Sequence, residues 1–588
     1  MLRTHTCGEL TKKNINQAVT VCGWVHRWRN LGGLLFLDLR DRYGLTQIVV
    51  DPKKQPETYA AAKRARGEWV ARVQGKVVAR PKEMVNQELI TGEIEIAAEK
   101  FTVLSEAKTP PFEIDSETKA AVNEEMRLQY RYLDLRRAER MELLVKRHEF
   151  VAFIRQFLSQ CGFLEVETPV LTKSTPEGAR DFLVPSRLHP GLFYALPQSP
   201  QQYKQILMLA GADRYFQIAR CFRDEDTRGD RQAEFTQLDL EMSFVEREDV
   251  LALTEELFTA AIKKIFPAKK IKFKPWPRLD YDEIMLKYGC DKPDLRFGLE
   301  ISDVSELVAG SGFKVFQKVL ASGGVARALC APAAAWSKAQ LEKLEELAKK
   351  NGAKGLIYLI IDSKGEIKSP ILKFLGEELA KKIIAALKAK PGDVIFMVAD
   401  KPSAVGASLA AVRHELGRRL NLADEREIAL AFVVNFPLFE EELADGHYAP
   451  SHHMFTAPRN EDIKLLDANP AQVKSYQYDL IGNGYELGGG SIRIHDRDLQ
   501  AKIFNLIGFS AERKEQFAHF LRAFEFGVPP HGGIAPGIDR ILMVLTNQAS
   551  IRDVMAFPKT GDGRDLMMAA PSPVEEKQLK ELKIKVSK

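Results

Sequence analysis

Apolar and polar residues alternate in five short runs over residues 1–105: VTVCGWVHRW, LLFLDLR, LTQIVV, WVARVQGKVVAR and IEIAAEKFTVLS. A period of two puts every second side chain on one face of a strand. Turn residues separate the runs at Asn30–Gly33, at Asp41–Gly44 and at Gly92. Five short strands at this spacing predict an OB-fold barrel, although the pattern alone also fits another small barrel with no ligand. Residues 106–140, rich in Pro, Arg and acidic groups, read as a hinge. The period then changes to three and four at Phe150, Phe153, Ile154, Phe157, Leu158 and Cys161, which predicts a helix with one apolar stripe ending at Gly162. FLEVETP follows as an alternating strand that stops at Pro169.

Residues 288–425 differ in character. Lys- and Ala-rich amphipathic helices (LEKLEELAKK, EELAKKIIAALKAK, SLAAVRHELGRRL) alternate with two apolar strands, GLIYLII and DVIFMVA. This α+β block carries no catalytic-looking cluster and interrupts the segments that do, so it reads as an insertion between 141–287 and 426–560. Residues 561–588, charged and Lys-rich, read as a surface extension.

At 588 residues the chain has room for several domains. Its 45% hydrophobic and 28% charged content belong to a soluble globular protein, and a net charge of +5 permits a nucleic-acid partner without demanding one. Cys7, Cys22, Cys161, Cys221, Cys290 and Cys330 form no CxxC pair, which argues against a zinc site or a disulfide framework and for a reducing cytoplasm. MLRTHTCGEL has no apolar core, so no signal peptide is expected. The longest apolar stretch, IALAFVVNFPLF, is too short for a membrane span.

The chemistry concentrates in three segments. GGIAPGIDR at 532–540 is a Gly-rich segment ending in Arg540, and FRDEDTRGDRQAEFTQLDLE at 222–241 sets Arg223 among carboxylates before a strand. Two fixed cations, a permissive Gly loop and nearby acids suit a nucleoside triphosphate, and the chain has no GxxxxGKS/T loop to do that otherwise. The third segment, YDLIGNGYELGGGSIRIH at 478–495, places Asp479 and Glu486 on either side of a Gly/Asn turn. Two strand ends bringing these carboxylates together make a magnesium site; two surface acids flanking a hairpin also fit.

These segments, with QSPQQYKQ at 198–205, TPEGARD at 175–181 and the His pair of PSHHMF, together resemble the bacterial-type aspartyl-tRNA synthetases, a family of class II aminoacyl-tRNA synthetases. The resemblance implies an α+β fold: an antiparallel catalytic sheet flanked by helices, an N-terminal OB-fold barrel and an inserted α+β GAD-like domain beginning near YGCDKPDLRF. It implies a homodimer, built on the helix–strand unit before Pro169, that forms aspartyl-adenylate from L-aspartate, ATP and Mg2+ and passes aspartate to tRNA-Asp. Residue by residue, Glu177 would cover the substrate amino group. Gln201, Lys204, Arg223, His452 and Arg493 would bind aspartate, and Arg223 and Arg540 would be the catalytic residues. Arg223, Asp224, Glu225 and Gln232 would contact ATP, with Gly537, Ile538, Asp539 and Arg540 at its far end. Asp479 and Glu486 would hold the metal, with Glu486 also touching ATP.

Aspartate and asparagine differ by one negative charge, so a site reading aspartate offers cations. Lys204 and Arg493 supply two, and burying both without a carboxylate leaves charge unpaired, a basis for rejecting asparagine. In the barrel, Phe36 alternates against Leu35 and Leu37 and would face outward as a base-stacking platform, with Arg29 and Gln47 beside it in the family's anticodon-reading pattern. Members that also charge tRNA-Asn often carry His after the first strand and Gly near the end of the fourth. Leu31 and Lys82 stand at those places here, which implies a preference for tRNA-Asp; a non-discriminating enzyme is the alternative. Asparaginyl- and lysyl-tRNA synthetases, and a catalytically dead RNA-binding relative, are the rival readings. The cations oppose a lysine site, and intact Arg223, Arg540 and carboxylates oppose a dead one.

Overall fold

A computed structural model describes residues 1–114, 122–175, 178–332 and 336–587. Two compact units divide the chain: Met1–Val145 with Ala556–Thr560 and Arg564–Pro571, and Lys146–Met555 with Gly561–Gly563 and Ser572–Lys588.

In the first unit β1 (Ala18–Leu31), β2 (Leu34–Asp41), β3 (Gly44–Val50), β4 (Val70–Ala79) and β5 (Ile94–Ser105) close into a barrel in the order β1-β2-β3-β5-β4. Alternate residues fill it, among them Val21, Leu35, Leu37, Ile48, Val73 and Ile96, all fully buried. A helix the alternation does not announce, Pro56–Arg64, joins β3 to β4 and buries Thr58 and Ala62. Phe36 is half-buried and points away from Leu35 and Leu37, as alternation requires. It pairs across the sheet with Arg29 and Val49, and Asp38 pairs with Gln47. The polar side chains on this outer face are tethered: Arg29 to Asp38 at 3.3 Å, Gln47 to Glu95 at 2.8 Å. Leu31 is exposed at the β1–β2 hairpin, and Lys82 is exposed just beyond β4.

In the second unit the chain forms α1 (Ala138–Gln160, begun in the first), β6 (Leu164–Glu165), α2 (Gln201–Leu209), β7 (Arg214–Phe222), β8 (Glu234–Ser243), α3 (Arg247–Ile265) and β9 (Arg278–Asp280). The inserted block follows: β10 (Ile301–Asp303), α4 (Lys314–Ala321), β11 (Val325–Ala331), α5 (Lys338–Lys350), β12 (Ile357–Ile361), β13 (Ile367–Lys368), α6 (Glu377–Ala386), β14 (Val394–Asp400) and α7 (Pro402–Arg419). Then come β15 (Leu430–Val434), β16 (Gln477–Gly482), β17 (Tyr485–Ile492), β18 (His531–Pro536) and α8 (Ile538–Leu545). The main sheet runs β9-β15-β16-β17-β18-β8-β7-β6, with its interior pairs antiparallel and its two edge pairs parallel. The stripe on α1 is realised: Phe150, Ile154 and Leu158 are fully buried, and Phe150 stacks on Phe258 of α3.

Two expectations change. FLEVETP is regular strand only at Leu164–Glu165, because Val166 makes one more bond to Phe216 and the chain then leaves the sheet. The insertion holds five strands, in the order β10-β11-β14-β12-β13, where the pattern offered two. Its strand β11 reads VARALCA, whose small residues fit helix or strand equally.

Candidate active site

A cavity of about 360 Å³ opens over the main sheet, walled by the β7–β8 connection, α2, β17 and the β18–α8 junction. Its floor follows from two periodicities. On α2, Gln201, Lys204, Gln205 and Met208 fall at helical spacing and are buried, so they form one face. On β8, Gln237, Asp239 and Glu241 share the opposite parity from Leu238 and Leu240.

The Lys204 ammonium sits 2.9 Å from Asp239 and 3.6 Å from Glu241. Arg493 donates to both Glu241 oxygens, at 2.9 and 3.2 Å, to Ser491 at 2.7 Å and to the ring of His453 at 2.5 Å. Lys204 and Arg493 are each 1% exposed. The expectation that these buried cations stay unpaired without a substrate carboxylate is corrected: two inward carboxylates of β8, Asp239 and Glu241, balance them before any substrate enters. Among the described residues one oxygen of Asp239 and the Nε2 of Gln201 are buried with no hydrogen-bond partner, and both residues line the cavity. Burial alone would raise the Glu241 carboxyl, but Arg493 and Lys204 overcome it and hold the group below the usual carboxylate range. Burial, with Arg493, Lys204 and Arg223 around it, pushes His452 down to about 3, so it is a neutral hydrogen-bonding group at physiological pH.

The upper cavity is laid out differently. Arg223 lies over the Phe235 ring at 5.0 Å. Among the described residues no carboxylate approaches it within 4 Å, so its charge faces the cavity unneutralised. Glu225 and Gln232 line the same wall, and Glu225 is 3.5 Å from Arg231. At the far end Arg540 donates to the backbone oxygen of Glu486 at 2.6 Å and lies 3.4 Å from the Asp230 carboxylate. Gly537 is at its edge.

Asp479 and Glu486 come together on adjacent strands, Asp479 opposite Gly489 and Glu486 opposite Ile481, across a bulge. Burial and the neighbouring Glu486 charge raise the Asp479 carboxyl well above its ordinary value. A divalent cation would relieve this repulsion. Among the described residues no cluster of three or more metal-ligating side chains exists, so the protein offers two hard oxygen donors. That matches Mg2+, which is commonly held by one or two carboxylates plus substrate phosphates. The run Gly488–Gly490 beside them, of which Gly488 and Gly489 line the cavity, is also required by strand packing. A Cβ at Gly488 would meet Pro536 Cα at 2.5 Å, and one at Gly490 would meet Gly533 O at 2.3 Å, so close β17–β18 packing demands both. A Cβ at Gly489 would instead press on site side chains, His452 Nε2 at 3.1 Å and Asp479 at 3.2 Å.

Three residues assigned to ATP stand differently. Asp224 is exposed outside the cavity, its N–H bonded to Arg180 O. Ile538 is a fully buried core residue at the start of α8. Asp539 lines the cavity, but its carboxylate is engaged by Arg147 of α1 and the Thr236 N–H. Glu177 lies outside the described residues. Phe235, Asp239, Glu241 and His453 also line or floor the site and were not singled out from the sequence. The alternation of FTQLDLE, which places acids at every second position of an apolar strand, carried the signal for two of them.

A family model described as tRNA synthetases class II (D, K and N) matches residues 123–561, and an OB-fold nucleic acid binding domain model matches residues 19–104. The Aspartate–tRNA(Asp/Asn) ligase of Rubrobacter xylanophilus is 53% identical over 584 residues, covering 99% of this chain and 96% of the relative. The Aspartate–tRNA ligase of Geobacillus kaustophilus is 50% identical, covering 100% and 99%. Among solved structures, asparaginyl-tRNA synthetase from Pyrococcus horikoshii, complexed with asparaginyl-adenylate, matches with a TM-score of 0.59 at 18% identity, over 95% of this chain and 99% of that one; at this identity the match speaks for the fold. With its OB barrel, its antiparallel sheet and a cation-lined cavity between motif-bearing strands, the chain belongs to the class II aminoacyl-tRNA synthetases, in the bacterial-type aspartate–tRNA ligase family.

Proposed function

We propose that the chain is an aspartate–tRNA ligase that joins L-aspartate to ATP as aspartyl-adenylate and transfers it to the 3′ end of tRNA. The observation that carries this reading is the pairing of charges: Arg223 at the cavity wall with no carboxylate within 4 Å among the described residues, above a floor where Lys204 and Arg493 are already balanced. The substrate carboxylate must approach the α-phosphorus of ATP, and a guanidinium fork can hold both oxyanions and the charge that develops on phosphorus. Arg540 serves the far end of the triphosphate, and Phe235 offers a ring for the base. The half-satisfied floor, with its free Asp239 oxygen and Gln201 amide, receives the amino group and side chain of aspartate. Asp479 and Glu486 would hold Mg2+, which when bound neutralises phosphate charge. No general base is needed; positioning and charge stabilisation supply the rate. Pyrophosphate exchange measured with each amino acid in turn tests the reading. Exchange dependent on any amino acid other than aspartate would overturn it.

A homodimer completes the proposal. β6 is the end strand of the main sheet, and Leu164 on it and Val170 and Leu171 shortly after it are exposed. Among the described residues no helix is long and apolar enough to cross a membrane.

Phe36→Ala separates the two half-reactions. It should weaken tRNA charging by about 1–3 kcal/mol, the worth of one base–aromatic stack, and leave tRNA-independent exchange unchanged. Equal losses in both would make Phe36 a packing residue. Which tRNA is charged turns on Leu31 and Lys82. An exposed Leu31 offers no side-chain hydrogen bond, which favours tRNA-Asp alone. The Asp/Asn name of the Rubrobacter relative favours both. Labelled aspartate with each purified transcript decides it: comparable efficiencies make the enzyme non-discriminating.

A further inference from the structure

The sheet of the inserted block is covered on both faces, and the two coverings differ in how their charges are paired. Helices α5 and α7 pack on one face around Leu344, Leu409 and Val412. On the other, α4, α6 and the short helix Leu372–Leu375 pack around Phe316, Leu375 and Ile383. On the first face the charges are interleaved. Lys349 pairs with Glu345 at 2.7 Å, Lys338 with Glu342 at 3.8 Å, and Arg418 and Arg419 share Glu415.

The second face shows no such pairing among the described residues. Lys314 and Lys318 on α4, Lys373, and Lys381 and Lys382 on α6 are all exposed, followed by exposed Lys388 and Lys390 just beyond α6. Among the described residues none of these seven ammonium groups has a carboxylate within 4 Å, although the Lys390 backbone N–H donates to Asp393 at 2.8 Å. The acids on these helices and on the adjoining Ser305–Val308 turn are Glu306, Glu377 and Glu378. What distinguishes this face is the pairing of its charges rather than their number: its lysine ammonium groups stand apart from the glutamates, whereas on the first face they are tied to them. Amid the lysines an exposed Phe374 ring lies under the Lys373 ammonium at 4.9 Å.

We propose that the α4–α6 face of the inserted block binds the sugar–phosphate backbone of the tRNA, a proposal that rests on the reading above for the identity of that polyanion. Unneutralised lysines release condensed counterions when they meet phosphates, which gives affinity without sequence reading. An exposed ring beside them adds a stacking surface for an unpaired base. A lipid surface fits less well, because an interfacial helix needs a broad apolar face, and here the large apolar side chains left exposed are Val315 and Phe374.

The test replaces Lys314, Lys318, Lys381 and Lys382 together by Gln. A second variant, with Gln at Lys338, Lys343, Lys349 and Lys350 of α5, removes as many lysines from the opposite face. Affinity for a tRNA-Asp transcript is measured from roughly 50 to 200 mM KCl, alongside aspartate-dependent pyrophosphate exchange without tRNA and sedimentation with phosphatidylserine vesicles. The expected result is tRNA binding weakened at least about tenfold by the first variant, with a salt slope shallower by up to about 4, one unit for each phosphate no longer neutralised. Exchange stays unchanged, and the α5 variant binds tRNA as the unmodified protein does. Unchanged tRNA affinity and slope, equal losses in both variants, or a loss confined to vesicle binding would each overturn the proposal. Absence of aspartate exchange in the unmodified chain would strike at the functional reading instead, since the tRNA-binding measurement needs no catalysis.

Discussion

Arg223→Ala lowers aspartate-dependent pyrophosphate exchange by about 10³-fold or more, in the range of other lost charge clamps on a transferring phosphoryl group, while the protein stays folded. Both halves follow from the surroundings of the side chain. Arg223 neutralises no carboxylate among the described residues, so its removal strands no buried anion. In the folded protein it rests on the face of Phe235, and giving up such a partly exposed cation–ring pair costs about 0.5–1 kcal/mol. The charge it offers matters when two anions are forced together and negative charge builds on the phosphoryl oxygens. Arg223→Lys should restore little, because a point charge cannot bridge two oxyanions as a fork does. Exchange within tenfold of the unmodified protein, in a variant with an unchanged melting temperature, would remove Arg223 from the mechanism.

Arg493→Leu has a different profile: it should damage stability and aspartate use together. Arg493 and Glu241 are almost wholly buried, and among the described residues the substitution leaves Glu241 a single ion-pair partner, Lys204 at 3.6 Å. Breaking a buried pair from one side costs about 3–5 kcal/mol. Urea denaturation reads this loss, and the aspartate KM reads the missing cation. Replacing Glu241 by Leu as well should return much of the stability, because no orphaned charge remains, and should not return aspartate use. A single variant that keeps both its stability and its aspartate KM would show that the pair neither supports the fold nor reads the side chain. The pair also has a pH signature. The folded Glu241 carboxyl lies below its ordinary value of 4.5, so its contribution is present above that value and disappears as the pH falls through the folded one. The double-Leu variant should therefore lose less stability than the unmodified chain on acidification below about 4.5.

The barrel was legible because its signal is local. Alternation decides which side of each strand is inside, and Phe36 landed on the outside for that reason alone. The helix Pro56–Arg64 was not legible, since nine residues with only Thr58 and Ala62 buried give almost no periodic stripe. In the site, residues such as Lys204, Arg223 and Arg493 stood out because charged or Gly-rich motifs surround them. Their balancing partners did not, because Asp239 and Glu241 lie 35 residues from Lys204 and 252 from Arg493 respectively, a relation only the fold creates. For the same reason Asp539 looked like a ligand contact, although its oxygens are already engaged by α1 and β8.

The parallel pairing of β9 with β15 has a consequence for how this protein can change. Neighbouring parallel strands cannot be joined by a tight turn; the chain must cross over through a dozen residues or more. The helix Tyr281–Tyr288, directly after β9, already supplies most of that minimum. Almost everything between that helix and Leu430 is thus surplus to closing the sheet, and the register of the cavity-bearing strands does not depend on its length. The crossover works as a port: segments can be lengthened, trimmed or grafted there while Lys204, Arg223 and Arg493 keep their spacing, so a new appendage can be tried without re-engineering the chemistry.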